Sequence, residues 1–148
     1  ITLGPNEAFF IGYAFSKWLL KQSKPGEPLT ISIGRDCRLS GPDLCIALSA
    51  GINKEGNIDI VDLGLCTTPA MFKSCVSPGF DYTGAVMITA SHLPMNRNGF
   101  KFFTKKGGLD NKAIKEIVTL AGQMQIEISR DGKSIDPANI FAKKIDFL

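Results

Sequence analysis

The sequence predicts a three-layer α/β/α sandwich around a four-stranded mixed, mostly parallel sheet whose last strand is antiparallel. Three observations predict it. Short β-branched or apolar runs, LTISIG, IDIVDL and GAVMI, alternate with segments that carry apolar residues at helical spacing. Such alternation implies helical crossovers that cover both faces of a parallel sheet. The segment between the third and fourth strand-like runs, 89–98, has no helical pattern and is broken by Pro94, Asn96 and Asn98. It is too short for a helical crossover, so the fourth strand is expected to run antiparallel to the third.

The elements follow in order. Residues 5–22 place Ala8, Ile11, Phe15, Trp18 and Leu19 at helical spacing, with Pro5 tolerated in a first turn. The stretch KPGEP stops this helix. LTISIG, residues 29–34, reads as a strand closed by Gly34. Ser40-Gly41-Pro42-Asp43 reads as a helix start, and the helix should run to about Lys54 and end near Gly56. IDIVDL, residues 58–63, is the second strand. A Thr hydroxyl at Thr67 or Thr68 is expected to cap a helix over PAMFKSCV. Gly84–Ile88 is the third strand. GFKFFT, residues 99–104, is the fourth, with Phe100 and Phe102 on one face. Residues 105–108 read as a turn. Asp110 can cap a helix from Asn111 to about Met124, with Ile114, Ile117, Val118 and Ala121 as its apolar stripe. Asp136-Pro137 starts a last short helix. No repeat or linker interrupts the pattern, so the 148 residues are read as a single domain, 1–148.

Composition narrows the function. With 44% hydrophobic and 21% charged residues the chain is an ordinary globular one. The formal charge of +3 is mild and scattered, which argues against a nucleic-acid partner. No apolar run approaches a membrane span. Cys37, Cys45, Cys66 and Cys75 match no zinc spacing, and there is one His; they read as buried thiols of a reducing compartment. Gly132-Lys133-Ser134 imitates the end of a P-loop, but Glu127 stands where its first Gly belongs and no strand leads into it. Neither GxGxxG nor GxSxG occurs.

Three loops follow strand ends, where sheets of this class place their functional groups: GRDCRLSG, GLCTTP and TASHLPMNRNG. In the third, the Ser91 hydroxyl is a candidate nucleophile or phosphoryl carrier, if another group assists it. His92 is adjacent in sequence, which does not ensure contact. Lys101 is on the returning strand and can point back at the loop as an acid, a base or a charge clamp. Asn96, Asn98 and Gly99 permit a tight turn with positive φ whose amides can bind phosphate. A polar loop in which Ser and His merely satisfy backbone groups remains open. In the first loop, Arg35 and Arg38 are candidate phosphate ligands, while Asp36 is better read as a partner for one of them. In the second loop, Thr67, Thr68 and Pro69 most simply cap a helix, whose N-terminus would also attract anions.

The stretch GAVMITASHLPMNRNGFKF resembles the phosphoserine loop of the α-D-phosphohexomutases, approximately G-[IV]-[MV]-[IL]-T-[AG]-S-H-N-P-x-x-x-N-G-[FIY]-K. That family includes phosphoglucomutase, phosphomannomutase and phosphoglucosamine mutase. GRDCRLSG resembles its G-x-D-x-R-x-S element, and LGLCTTPA its G-x-x-x-T-P element, all in the right order. The wording is closest to phosphoglucosamine-mutase-like proteins of plants. The resemblance implies a domain that moves phosphate between the 1- and 6-hydroxyls of a hexose through a bisphosphate intermediate. It implies Ser91 as phosphoserine and Lys101 as acid/base. It implies His92, Asn98, Arg97, Arg35 and Arg38 as substrate or phosphate contacts. It also implies Mg2+, with one ligand from phosphorylated Ser91 and the others from a domain not in this chain. The partners it implies are a hexose phosphate and the protein's own downstream domains, with no nucleic acid and no membrane. The expected location is soluble and intracellular: the cytoplasm, or a plastid if the protein is from a plant.

The sequence also departs from the pattern. The usual Asn after His is Leu93, and Arg97 adds a cation before the Asn-Gly pair. The family's D-G-D-x-D-R metal loop, sugar-specificity loop and last phosphate loop do not occur. The chain is therefore expected to be the first of four domains and inactive alone. An inactive family member, or an anion-binding interaction domain of the same fold, is the alternative.

Overall fold

The computed structural model describes residues 3–56, 58–130 and 146–147. Helix α1 (Pro5–Gln22) precedes β1 (Leu29–Arg35), α2 (Gly41–Ile52), β2 (Ile58–Leu65), α3 (Thr68–Val76) and β3 (Gly84–Ile88). Then come β4 (Phe100–Thr104), β5 (Gly107–Gly108), α4 (Asn111–Arg130) and β6 (Asp146–Phe147). The sheet order is β5-β4-β3-β1-β2-β6. β1 pairs in parallel with β2 and β3, and β4 runs antiparallel to β3, as the helix-free link requires.

The four expected strands form the middle of this sheet, which is wider than four. The segment read as a turn contributes Gly107–Gly108 as β5, antiparallel to β4, and β6 adds to β2 in parallel at the far edge. Two-residue strands have no room for a period-two pattern, so sequence periodicity cannot reveal them. The helix expected from Asp136 falls at positions outside the described residues.

The two faces of the sheet are covered unequally. On one face the larger core joins α1, α2 and α4 to Ile31, Ile33, Val86, Ile88 and Phe102. On the other, α3 places Met71 and Cys75 against Ala85 and Met87, the alternate residues of β3. Phe102 packs 4.7 Å from the Phe15 ring, on the same face as Phe100, as the alternation predicts. Glycine lets α1 and α2 cross closely: a Cβ on Gly51 would strike the Phe9 carbonyl, and one on Gly12 the Leu48 carbonyl.

Some helix details differ from expectation. α2 ends at Ile52, because the Lys54 amide bonds to the Gly51 carbonyl three residues back and tightens the last turn. Thr67 is the N-cap of α3 but makes no side-chain cap hydrogen bond. Asp110 does cap α4, its Oδ1 accepting from the Ala113 amide at 2.8 Å. α4 runs past Met124 to Arg130. Its buried line is Ala113, Ile117 and Ala121, with Ile114 half-buried, while Val118 is 57% exposed. Residue 118 therefore belongs to the solvent side of α4.

Topology then locates the functional edge. The chain leaves β1 toward β2, then crosses back over the other face to β3 on the opposite side of β1. The neighbouring strands β1 and β3 therefore lie where the strand order reverses, and the loops that follow them come side by side at the carboxyl edge of the sheet.

Candidate functional site

The β1 loop, 36–40, and the β3 loop, 89–99, meet at this edge of the sheet. The backbone begins the contact: the Asp36 amide donates to the Ile88 carbonyl at 3.1 Å, and the Thr89 amide to Gly99 at 2.9 Å. Both Ser91 and Lys101 are exposed above it. The register of β4 on β3 pairs Lys101 with Met87. From there the lysine reaches back, and its Nζ donates to Ser91 Oγ at 2.9 Å. The structure therefore brings together two of the residues singled out in the sequence.

Ser91 is in the left-handed region, at φ 54°. A non-glycine residue there is strained and uncommon. The sequence suggested positive φ for Asn96, Asn98 or Gly99; it falls on Ser91 instead. Asn98 keeps the chain turning by other means. Its Oδ1 accepts from the Gly99 amide at 3.0 Å, and its Nδ2 donates to Ser40 Oγ at 2.9 Å. Ser40, the N-cap of α2, makes no cap hydrogen bond of its own; its backbone is helical (φ -76°, ψ -10°), not the extended form a capping hydroxyl needs.

Arg38 corrects an expectation. Sequence reasoning placed it on phosphate, yet its side chain is only 6% exposed and turned inward. Its Nη1 donates to the carbonyls of Pro94 (2.6 Å) and Arg97 (3.0 Å), and its Nη2 to that of Ser91 (2.7 Å). Its Nε donates to Asp36 Oδ2 at 3.0 Å, which neutralises the buried charge. Asp36 is thus the structural partner its position suggested. It also accepts from the Arg38 amide at 3.1 Å and from the Thr89 hydroxyl at 2.6 Å. Burial pushes the Asp36 carboxyl up, but these hydrogen bonds and the guanidinium outweigh it and hold it below the usual carboxylate range.

Thr89 was not singled out in the sequence. It is 7% exposed, donates to Asp36 and accepts from the Ser91 amide at 3.0 Å. Its signal was its place two residues before Ser91, the offset at which a hydroxyl bonds a backbone amide.

The other expected ligands stand apart from this network. His92 and Arg97 are exposed, and Arg35 is half-buried at the end of β1; none has a side-chain hydrogen bond or ion pair among the described residues. Leu93 is 51% and Met95 59% exposed on the same loop. Cys37 is exposed and does not fit the reading of buried thiols; Cys45 and Cys75 are buried and Cys66 half-buried, and all four are free. Burial pushes the Cys45 thiol up to about 12, so it stays protonated and inert.

A divalent cation finds little here by itself. Among the described residues no group of three or more His, Cys, Asp or Glu side chains is placed to hold a metal. Both Asp36 carboxylate oxygens are committed to Arg38 and Thr89. Also among the described residues, no helix is long and apolar enough to cross a membrane.

Residues 2–126 match the family described as phosphoglucomutase/phosphomannomutase, alpha/beta/alpha domain I. The chain is 44% identical to a phosphoglucosamine mutase of Symbiobacterium thermophilum over 105 residues, covering 71% of this chain and 22% of that protein. It is 38% identical over 117 residues to a phosphomannomutase/phosphoglucomutase of Pseudomonas syringae pv. tomato, covering 78% of this chain and 23% of that protein. A phosphoglucomutase of Neisseria gonorrhoeae is 36% identical over 120 residues, which are 80% of this chain and 24% of that protein. The chain thus spans less than a quarter of the length of these curated relatives. Among solved structures, a phosphoglucomutase/phosphomannomutase family protein of Burkholderia thailandensis superposes with a TM-score of 0.71 at 27% identity, over 83% of this chain and 27% of that one. These relatives are bacterial, and the likeness to plant sequences stays an expectation.

Proposed function

The chain belongs to the phosphoglucomutase/phosphomannomutase family as its alpha/beta/alpha domain I, and from that membership we propose that it is the phosphoserine domain of a sugar-phosphate mutase. Ser91 carries the phosphoryl group, and Lys101 moves the proton that the transfer requires. The carrying observation is the 2.9 Å approach of Lys101 Nζ to Ser91 Oγ on a strained, exposed turn. In the forward step the bond between phosphorus and Ser91 Oγ breaks, and one forms to a hydroxyl of a hexose phosphate. The hydroxyl loses a proton and Oγ gains one. A lysine ammonium within hydrogen-bond distance of Oγ can deliver the second and, once neutral, take the first. The same residues run the reverse step once the bisphosphate has turned its other phosphate to Ser91.

His92, Arg97, Asn98 and Arg35 are the residues left to contact phosphate. The three cationic or ionisable ones are unpaired among the described residues, and Asn98 sets the turn beside them. Magnesium would screen the phosphoryl charge, and the phosphorylated Ser91 could offer it one ligand. The described residues do not complete such a site, so the remaining ligands would come from further domains of the protein. The isolated chain is accordingly expected to show negligible mutase turnover.

One observation favours a second reading, in which the loop binds an anion without transfer: Leu93 stands exposed where the family pattern has Asn. Phosphopeptide mapping separates the two. Stoichiometric phosphate on Ser91 in the complete protein from its source supports the carrier. No phosphate there, even after incubation with a hexose 1,6-bisphosphate, supports the anion-binding domain. Ser91→Ala in the complete protein should lower kcat by about three orders of magnitude or more; unchanged activity would sink the proposal.

A further inference from the structure

We infer that Arg38 is a positioning residue: its buried guanidinium holds Ser91 in the left-handed conformation that presents Oγ to Lys101. This rests on Ser91 being the phosphoryl carrier. Ser91, Pro94 and Arg97 are spaced three apart, and their carbonyls converge on one planar fork. The loop is wrapped around the cation, not draped over it. The fork is aimed by Asp36, through its backbone bond to the Arg38 amide and its ion pair to Nε. The same carboxylate accepts from Thr89, whose hydroxyl oxygen accepts from the Ser91 amide. Ser91 is therefore gripped from both sides of its own α-carbon, at its amide through Thr89 and at its carbonyl through Arg38. Those two peptide groups define φ and ψ of Ser91, so the network acts on the backbone torsions that aim Oγ. None of these bonds uses the Ser91 hydroxyl, which is left for Lys101 and for phosphate.

Guanidinium geometry is needed for this task. Its donors lie in one plane at fixed angles, whereas an ammonium is a point charge on a flexible stem. A lysine at residue 38 can reach one or two of the carbonyls but cannot face Asp36 and all three together. Loss of the fork lets the carrier shift by about an ångström, a misplacement that costs about 100-fold in rate.

The test uses the complete protein carrying Arg38→Met, Arg38→Lys or Ser91→Ala, with a hexose 1-phosphate as substrate and rates normalised to folded enzyme. Arg38→Met should lower kcat about 100-fold with KM changed less than about threefold, and Arg38→Lys should recover about tenfold of that loss. Hydrogen exchange should show the Leu93 and Arg97 amides of either variant losing protection at least about tenfold, with the Ile33 and Val86 amides unchanged. A purely structural role would weaken loop and core together and leave kcat per folded molecule untouched; that result overturns the inference. So does a folded Arg38 variant with kcat within about threefold of wild type while Ser91 is still phosphorylated. If Arg38→Met does not fold, the same criteria apply to Arg38→Lys. An active Ser91→Ala protein is a different failure, since it removes the carrier reading itself.

Discussion

Among the described residues, two other than glycine adopt left-handed backbone, Asp81 and Ser91, both at φ 54°. Their surroundings have little else in common. Asp81 is in the connection between α3 and β3, and its carboxylate meets Lys105 Nζ at 2.7 Å, with side chains 70% and 54% exposed. Ser91 is fixed through backbone bonds to Thr89 and to an arginine that is 6% exposed. The steric cost is similar, about 1–2 kcal/mol for either. At Asp81 a residue type that visits this region readily bears it in a surface turn. At Ser91 a buried charged network maintains it. Strain alone does not mark a site; strain that a buried network is committed to holding does.

The largest way to break this contrast is Asp36→Ala. It leaves the Arg38 guanidinium without its counter-charge, and should destabilise the fold by about 2–4 kcal/mol in urea denaturation. A milder break comes from acid. The folded Asp36 carboxyl lies below its ordinary range, so its stabilising contribution is complete above the unfolded pKa and is lost as pH falls through the folded value. The wild-type protein should lose stability in that window, and the Asp36→Ala protein should lose less. Glycine sharpens the comparison further. Asp81→Gly and Ser91→Gly should each stabilise by up to about 1 kcal/mol in thermal melts. In the complete protein only Ser91→Gly should abolish phosphate labelling, so stability and function part at that residue alone. Lys105→Ala, last, should change stability by less than about 0.5 kcal/mol, because an exposed ion pair contributes little.

Much of this could be read from the sequence. The four central strands, α1, the Asp110 cap and the position of Ser91 just past β3 all follow from local periods and turn residues. The return of Lys101 toward Ser91 follows from a strand of known alternation coming back antiparallel. Other features could not be read. Arg38 looked like a surface cation because the carbonyls it binds are 53 to 59 residues away in sequence. Ser40 looked like a helix cap, and its hydroxyl serves Asn98 instead, 58 residues on. Val118 fits a helical stripe equally well from either side of its boundary, and only the position of α1 against α4 decides that it faces solvent.

By itself the sequence determined the class of sheet, the three loops at its carboxyl edge and the chemistry available there, since periodicity, turn residues and side-chain types are properties of neighbours along the chain. The tertiary structure alone decided that Arg38 is spent on the loop, while Arg35 and Arg97 have no side-chain hydrogen bond or ion pair among the described residues. It also decided that the strained residue is Ser91 and not an asparagine. The physical reason is the same in each case: burial and convergent hydrogen bonding arise between segments distant in sequence, and only the packed sheet brings β1 and β3 side by side.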